Sequence, residues 1–224
     1  MSINWQTAID NFPVLLKGAG LTLELTAGGV AIGVVIGLIM SLLRLSNSRV
    51  LRGLAIAYID FFRGTPLLVQ IYIIYFAFPP LLGFSTPENY RYIAGILALG
   101  LNSGAYVAEV FRAGIQSIDR GQTEAARSLG MTQGQAMRYI ILPQAVKRVI
   151  PPLGNEFIAL LKDSSLVSII ALQDLMYTAK IVAGKTVQPA PMYIAAALIY
   201  LVMTLVISRL VSYSERRLGK SDIR

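Results

Sequence analysis

The chain has 224 residues, 55% of them hydrophobic and 14% charged, a balance outside the soluble range, with apolar residues gathered into runs long enough to cross a bilayer. It carries no Cys and no His, which excludes disulfides, thiol catalysis, most zinc sites and the commonest general base. The net charge of +8 comes from 20 Lys and Arg that avoid the apolar runs, so they read as topology signals and not as a footprint for nucleic acid.

The first twenty residues lack the basic n-region and small-residue cleavage site of a signal peptide, so the first apolar helix is expected to stay in the mature protein. That helix is predicted over 21–43, with Glu24 as its one charge. Gly29, Gly33, Gly37 and Ser41 recur within it at every fourth position, a ridge of small residues that lets helix backbones approach closely. A second span begins with a mixed segment, 53–62, passes through Arg63, Gly64, Thr65 and Pro66, becomes apolar over 67–78 and is expected to close at Pro79 and Pro80. The helix is predicted to break near Arg63 and leave backbone groups to satisfy. The third span is placed at 92–111, where Gly100, Gly104 and Ala108 repeat the small-residue spacing and Asn102 reads as an interhelical hydrogen-bonding group. The fourth is placed at 153–172 and the fifth at 192–212.

The longest connection, 112–150, carries Arg112, Arg120, Arg127, Arg138, Lys147 and Arg148 and is cytoplasmic by the positive-inside rule. Five spans then put the N-terminus outside and the C-terminus in the cytoplasm. The inside set gains Arg44, Arg49, Arg52, Arg216, Arg217, Lys220 and Arg224, and the outside segments hold only Lys17, Arg91, Lys180 and Lys185. The expected architecture is all-α: one membrane domain over 1–224, five transmembrane helices, and a cytoplasmic loop between the third and fourth.

That loop reads as two short helices around a glycine. Ala125, Ala126 and Leu129 form one apolar stripe, Gly130 permits a tight turn, Met137, Ile140 and Ile141 form a second stripe, and Pro143 is expected to end the element. Physically such a hairpin serves as a solvated cap, a surface-lying element or a dock for a partner protein. The order Glu124-Ala125-Ala126, three residues, Gly130, nine residues, then Ile140-Ile141-Leu142-Pro143 resembles the conserved loop of membrane permeases of ATP-binding cassette importers. The stretches Phe62–Gln70 and Lys162–Leu166 resemble the branch that imports polar amino acids, and the likeness covers nearly the whole chain.

The resemblance implies that Glu124, Ala125, Ala126, Leu129, Gly130, Ile140, Leu142 and Pro143 couple the membrane helices to a cytoplasmic ATPase dimer, where ATP and Mg would bind. It also implies a second permease copy or paralogue, an extracytoplasmic amino-acid-binding protein and a bacterial-type inner membrane. No catalytic residue, metal or cofactor is expected in this chain itself. Its one Gly-Lys-Thr, at Gly184, Lys185 and Thr186, has Ala179 where a phosphate loop needs glycine.

Ionisable groups within a span are costly and usually face the bundle interior or a water-filled cavity. Glu156 and Asp163 are seven apart and share a helix face; two copies about a two-fold axis would set two such faces across a central cavity. That arrangement would grip an ammonium and lean towards basic amino acids, with Lys162 offering a carboxylate site. Asn155, Ser164, Ser165, Glu24 and Gln70 complete the candidate substrate set. The competing assignment is local neutralisation, Lys162 and Asp163 pairing with each other or with Arg63, Glu24 or Glu109. The rival function is an ion-gradient-driven transporter or channel for a small polar solute, but the halves of the chain show no internal repeat.

Overall fold

The computed structural model describes residues 3–83 and 85–219, and every regular element among them is helical. A short helix α1, Gln6–Asp10, leads into α2, Phe12–Arg44. Helix α2 starts nine residues before the predicted span, because the apolar run continues back to Phe12 and Pro13 occupies its first turn, where a missing N–H costs nothing. Glu24 therefore lies inside the helix and not at its outer end.

The second span is two helices, α3 (Arg49–Gly64) and a segment running from α4 (Leu67–Tyr72) to α5 (Phe78–Leu82), bent by 105°. Thr65 is extended, with φ −117° and ψ 146°, as the residue before a proline prefers. The predicted stop at Pro79 and Pro80 is not observed. The helix continues to Leu82 and ends at Gly83, whose φ is +69°. A π-helical stretch, Ile73–Ala77, precedes the prolines; its wider turn makes room for rings that would clash with an α-helical carbonyl. Helix α6, Tyr90–Gln116, is the third span.

The connection holds α7, Arg120–Ser128, capped by the Asp119 carboxylate accepting from Gly121 N at 2.6 Å. Gly130 turns the chain with φ +84°, a conformation that favours glycine. Helix α8, Gln133–Ala136, opens with a capping box between Thr132 and Gln135. Pro143 does not end this element. A second π stretch, Met137–Ile141, absorbs it, and the helix runs on through α9, Leu142–Asp163, and a 3-10 turn, Ser164–Ile170. A further helix, α10 (Leu175–Thr186), occupies what was expected to be an outer loop and is bent by 50° from the preceding segment. Gly184-Lys185-Thr186 is its last turn, not a phosphate loop. Helix α11, Pro189–Gly219, is the fifth span.

Three long apolar helices and two bent pairs thus make the five expected crossings. The small-residue ridges meet each other: a Cβ added at Gly33 would lie 2.7 Å from Ser103 Oγ, and one at Gly37 2.6 Å from Val107 Cγ1. Leu25, Ile71, Leu99, Leu160 and Val167 form the central core, and Leu15, Leu175, Ala179 and Met192 a second one. Burial is uneven, with 61% of the α6 span buried but only 11% of the α11 span. Leu198, Leu201, Val202, Leu205 and Val206 on α11 and Val35, Leu38 and Leu42 on α2 stand exposed, the side expected to meet lipid acyl chains.

Candidate functional site

The exposed groups of α3, α6 and α9 differ in kind from those of α2 and α11. Asp60 and Arg63 on α3, Tyr106 on α6, and Asn155, Lys162 and Asp163 on α9 are exposed. Arg63 stands 5.5 Å from the centre of the Tyr106 ring, a cation–π contact.

The candidate residues do not converge on one point. Glu156 is half-buried and faces Ser103 of α6, within electrostatic reach of Asp163. Ser103 Oγ is buried. Lys162 points elsewhere, into a cavity of about 310 Å³ between α9, α10 and α11 that it shares with Ser165, Met176, Tyr193 and Tyr200. Asn155, seven residues before Lys162, lies on the same face of α9. The structure thus sets Glu156 towards α6 and Lys162 and Ser165 towards α11, with Asp163 exposed and within electrostatic reach of both Glu156 and Lys162. Among the described residues neither Glu156, Lys162 nor Asp163 forms an ion pair. The ion pairs belong to Glu109, which accepts from Arg44 and from Arg112, the latter at 2.7 Å.

Three candidates have their polar atoms engaged within the protein. Gln70 is 2% exposed. Its amide nitrogen donates to Phe62 O at 2.9 Å, Thr65 O at 3.0 Å and Thr65 Oγ1 at 2.9 Å, and its oxygen accepts from Asn102 Nδ2 at 3.0 Å. It closes the backbone gap left by the break before Pro66, as does Asn102, which also donates to Phe62 O at 3.3 Å. This geometry places Gln70 in the frame of the break. Ser164 is buried and donates to Leu161 O at 2.8 Å, and Glu24 accepts from the Tyr92 hydroxyl at 2.8 Å, away from the α9 groups.

One carboxylate escaped the sequence reading. Asp174 is fully buried and caps α10, accepting from Tyr177 N at 2.8 Å and Met176 N at 3.2 Å, with the Tyr200 hydroxyl at 3.4 Å. Thr22 of α2 joins the junction by accepting from Leu175 N at 3.1 Å. The signal was present: Asp before Leu-Met-Tyr is an N-cap pattern, obscured by assigning the segment to a loop.

In the connection between α6 and α9, Ala126 is 4% exposed and packs inward, while Leu129 is 85% exposed. Ala125, Ala126 and Leu129 therefore do not act as one buried stripe. Glu124, Ala125, Gly130 and Pro143 are exposed, and Ile140 and Leu142 half-buried. The turn is held by Met131 N donating to Ala126 O at 3.1 Å and Arg127 donating to Met131 O at 2.9 Å. From it an unbroken helical path leads through α9 to Lys162 and Asp163. Helix α9 alone has 22 residues, or about 33 Å at the usual rise.

Residues 33–220 match the family described as the binding-protein-dependent transport system inner membrane component. The chain is 39% identical over 222 residues to the arginine transport system permease protein of Bacillus subtilis, covering 99% of this chain and 100% of that one. It is 42% identical to a probable glutamine ABC transporter permease protein of the same organism, covering 98% and 100%. Among solved structures, a crystal structure of an amino acid ABC transporter with histidines aligns with a TM-score of 0.91 at 46% identity, covering 97% of this chain and 100% of that one. A subunit of the MetNI methionine ABC transporter shares the fold, with a TM-score of 0.78 at 20% identity over 93% and 98% of the two chains.

Proposed function

The chain belongs to the family of binding-protein-dependent inner membrane transport components, in its polar amino acid branch, and from that premise we propose that it forms the translocation pathway of an importer of basic amino acids by alternating access. The importer role follows from the family; the preference for basic substrates is the finer reading. It is supported by Glu156 and Asp163, two carboxylates within electrostatic reach of each other and neither in an ion pair among the described residues, with Lys162 also acting on Asp163. The relatives' names include both arginine and glutamine, so substrate class has to be argued from the charges. In this reading Glu156 and Asp163 receive the cationic end of the substrate, and Lys162, with Asn155 and Ser165 near it, receives the carboxylate.

The whole chain acts as one permease domain, with its N-terminus outside and its C-terminus in the cytoplasm. Covalent chemistry takes place elsewhere, ATP and Mg being held by a separate ATPase dimer. The segment from Glu124 to Pro143 docks on that ATPase, with Leu129 offered outward. A second permease copy or paralogue completes the pathway, and an extracytoplasmic binding protein delivers substrate. ATP acts only through differential stabilisation of two conformations. The observation that carries this mechanism is the helical path from α8 through the π turn at Met137–Ile141 and on through α9: displacement of the docked end reaches the charged groups along one run of helix, with Pro151 and Pro152 inside it as the points where it can bend.

The test is uptake into vesicles containing the permease, its ATPase and its binding protein, with arginine, lysine and glutamine offered separately. The proposal predicts ATP-dependent uptake that favours arginine and lysine, a weakening of that preference in Glu156→Ala, and ATP hydrolysis without uptake in Gly130→Asp. Uptake that follows an imposed ion gradient and ignores ATP contradicts the importer; equal handling of glutamine and arginine contradicts the charge preference alone.

A further inference from the structure

A cavity of about 500 Å³ lies between the cytoplasmic halves of α6 and α9. Val110, Ala113, Gly114 and Pro152 give it apolar walls, and Glu109, Ser117 and Arg148 are its polar members. Two of those three are already engaged. Glu109 accepts from Arg44 on one carboxylate oxygen and from Arg112 on the other, and the Ser117 hydroxyl donates to Gly114 O at 2.7 Å. Arg148 is exposed and donates to Ser117 O, which fixes its guanidinium beside the cavity. A guanidinium carries five N–H donors, and this contact uses one.

The charged residues that line the cavity are Arg148 and Glu109; Glu109 is already held by Arg44 and Arg112, so among the described residues Arg148 is left without an ion-pair partner beside a mostly apolar space. A small water-soluble anion would meet the charge and leave the walls unfilled. An acyl chain alone would fill the walls and leave the guanidinium without a counter-ion. The ligand matching both is amphiphilic and anionic, and by the topology proposed above the cavity sits at the leaflet where anionic headgroups meet juxtamembrane Lys and Arg.

We propose that this groove seats an anionic phospholipid of the cytoplasmic leaflet, its phosphate on Arg148 and an acyl chain against Val110, Ala113 and Pro152. The groove's floor is the first half of α9, the same helix that connects the docking loop to the charged groups, so an occupied site braces that helix against α6. The site concerns lipid and not substrate, and it stands or falls separately from substrate class.

The test is native mass spectrometry of the permease–ATPase complex titrated with phosphatidylglycerol or with phosphatidylcholine of matched chains. The proposal predicts preferential retention of phosphatidylglycerol, lowered about fivefold in Arg148→Gln, the weight of one basic residue near an anionic surface, and largely kept in Arg148→Lys. Ala113→Trp, which fills the groove without changing its charge, is expected to lower retention as well. Because Ala113 is exposed, that variant keeps the test decisive if Arg148→Gln assembles poorly. Equal retention of the two lipids, or retention unchanged in both Arg148→Gln and Ala113→Trp, overturns the site.

Discussion

Helices α2 and α6 are unbroken and meet through glycines, whereas the segment from α3 to α5 and the junction from α9 to α10 are broken, and side chains close their gaps. In the first region backbone approach is so close that a Cβ at Gly37 would lie 2.9 Å from Ala108 N; there is no room for adjustment. In the second, Gln70, Asn102 and Asp174 take up backbone groups that the breaks leave open. The difference separates a frame from the parts that change direction, and the charged groups of α9 belong to the latter.

Breaking the frame has the largest expected effect. Gly37→Val has to push apart α2 and α6, and overpacking of this kind costs about 1–3 kcal/mol or more. It is expected to lower the thermal stability of the purified complex sharply, measured by the midpoint of its unfolding. Gln70→Leu attacks the break instead, leaving the Thr65 carbonyl without its side-chain donor and the Phe62 carbonyl with Asn102 alone, at about 1–3 kcal/mol for a buried group left unsatisfied. Since Gln70 braces the break, substrate preference should survive in whatever folded protein remains; a selective loss of one substrate would return Gln70 to the binding site. Asp174→Ala removes the α10 cap and is expected to cost about 1 kcal/mol, with Asp174→Asn losing less. Glu109→Gln comes last. Its pairs with Arg44 and Arg112 are both partly exposed, and each such pair contributes about 0–1 kcal/mol, so a small shift that shrinks further in high salt is expected.

Helices 21–43, 92–111 and 192–212 were legible because hydropathy alone marks a span that neither breaks nor bends, and the glycine spacing marked the close-packing ridges, though not that α2 and α6 are partners. The break before Pro66 was legible too, since proline removes a donor wherever it sits. What could not be read was which side chain repairs it. Gln70 looked like a polar group awaiting a ligand because its partners, Phe62 O and Asn102, reach it only through the fold. Pro79 and Pro143 were misread as stops for a related reason: the π turns that accommodate them have no composition of their own. Helix α10 was lost because its apolar residues face α2 and α11 in a short segment that does not span by itself. As for the charged groups, helical periodicity put Glu156 and Asp163 on one face, but whether Lys162 joins them depends on where α11 packs.

The claim that α9 carries motion from the docking loop to the charged groups has a direct test, helped by a chain that has no Cys of its own. Spin labels at Asn155→Cys in a complex with two permease copies report the separation of the two α9 faces across the pathway. The account predicts that this separation changes when ATP is trapped at the partner ATPase, and that Gly130→Asp abolishes the change while ATP still binds. A change that persists in Gly130→Asp, or no change in the unmutated loop, would contradict it.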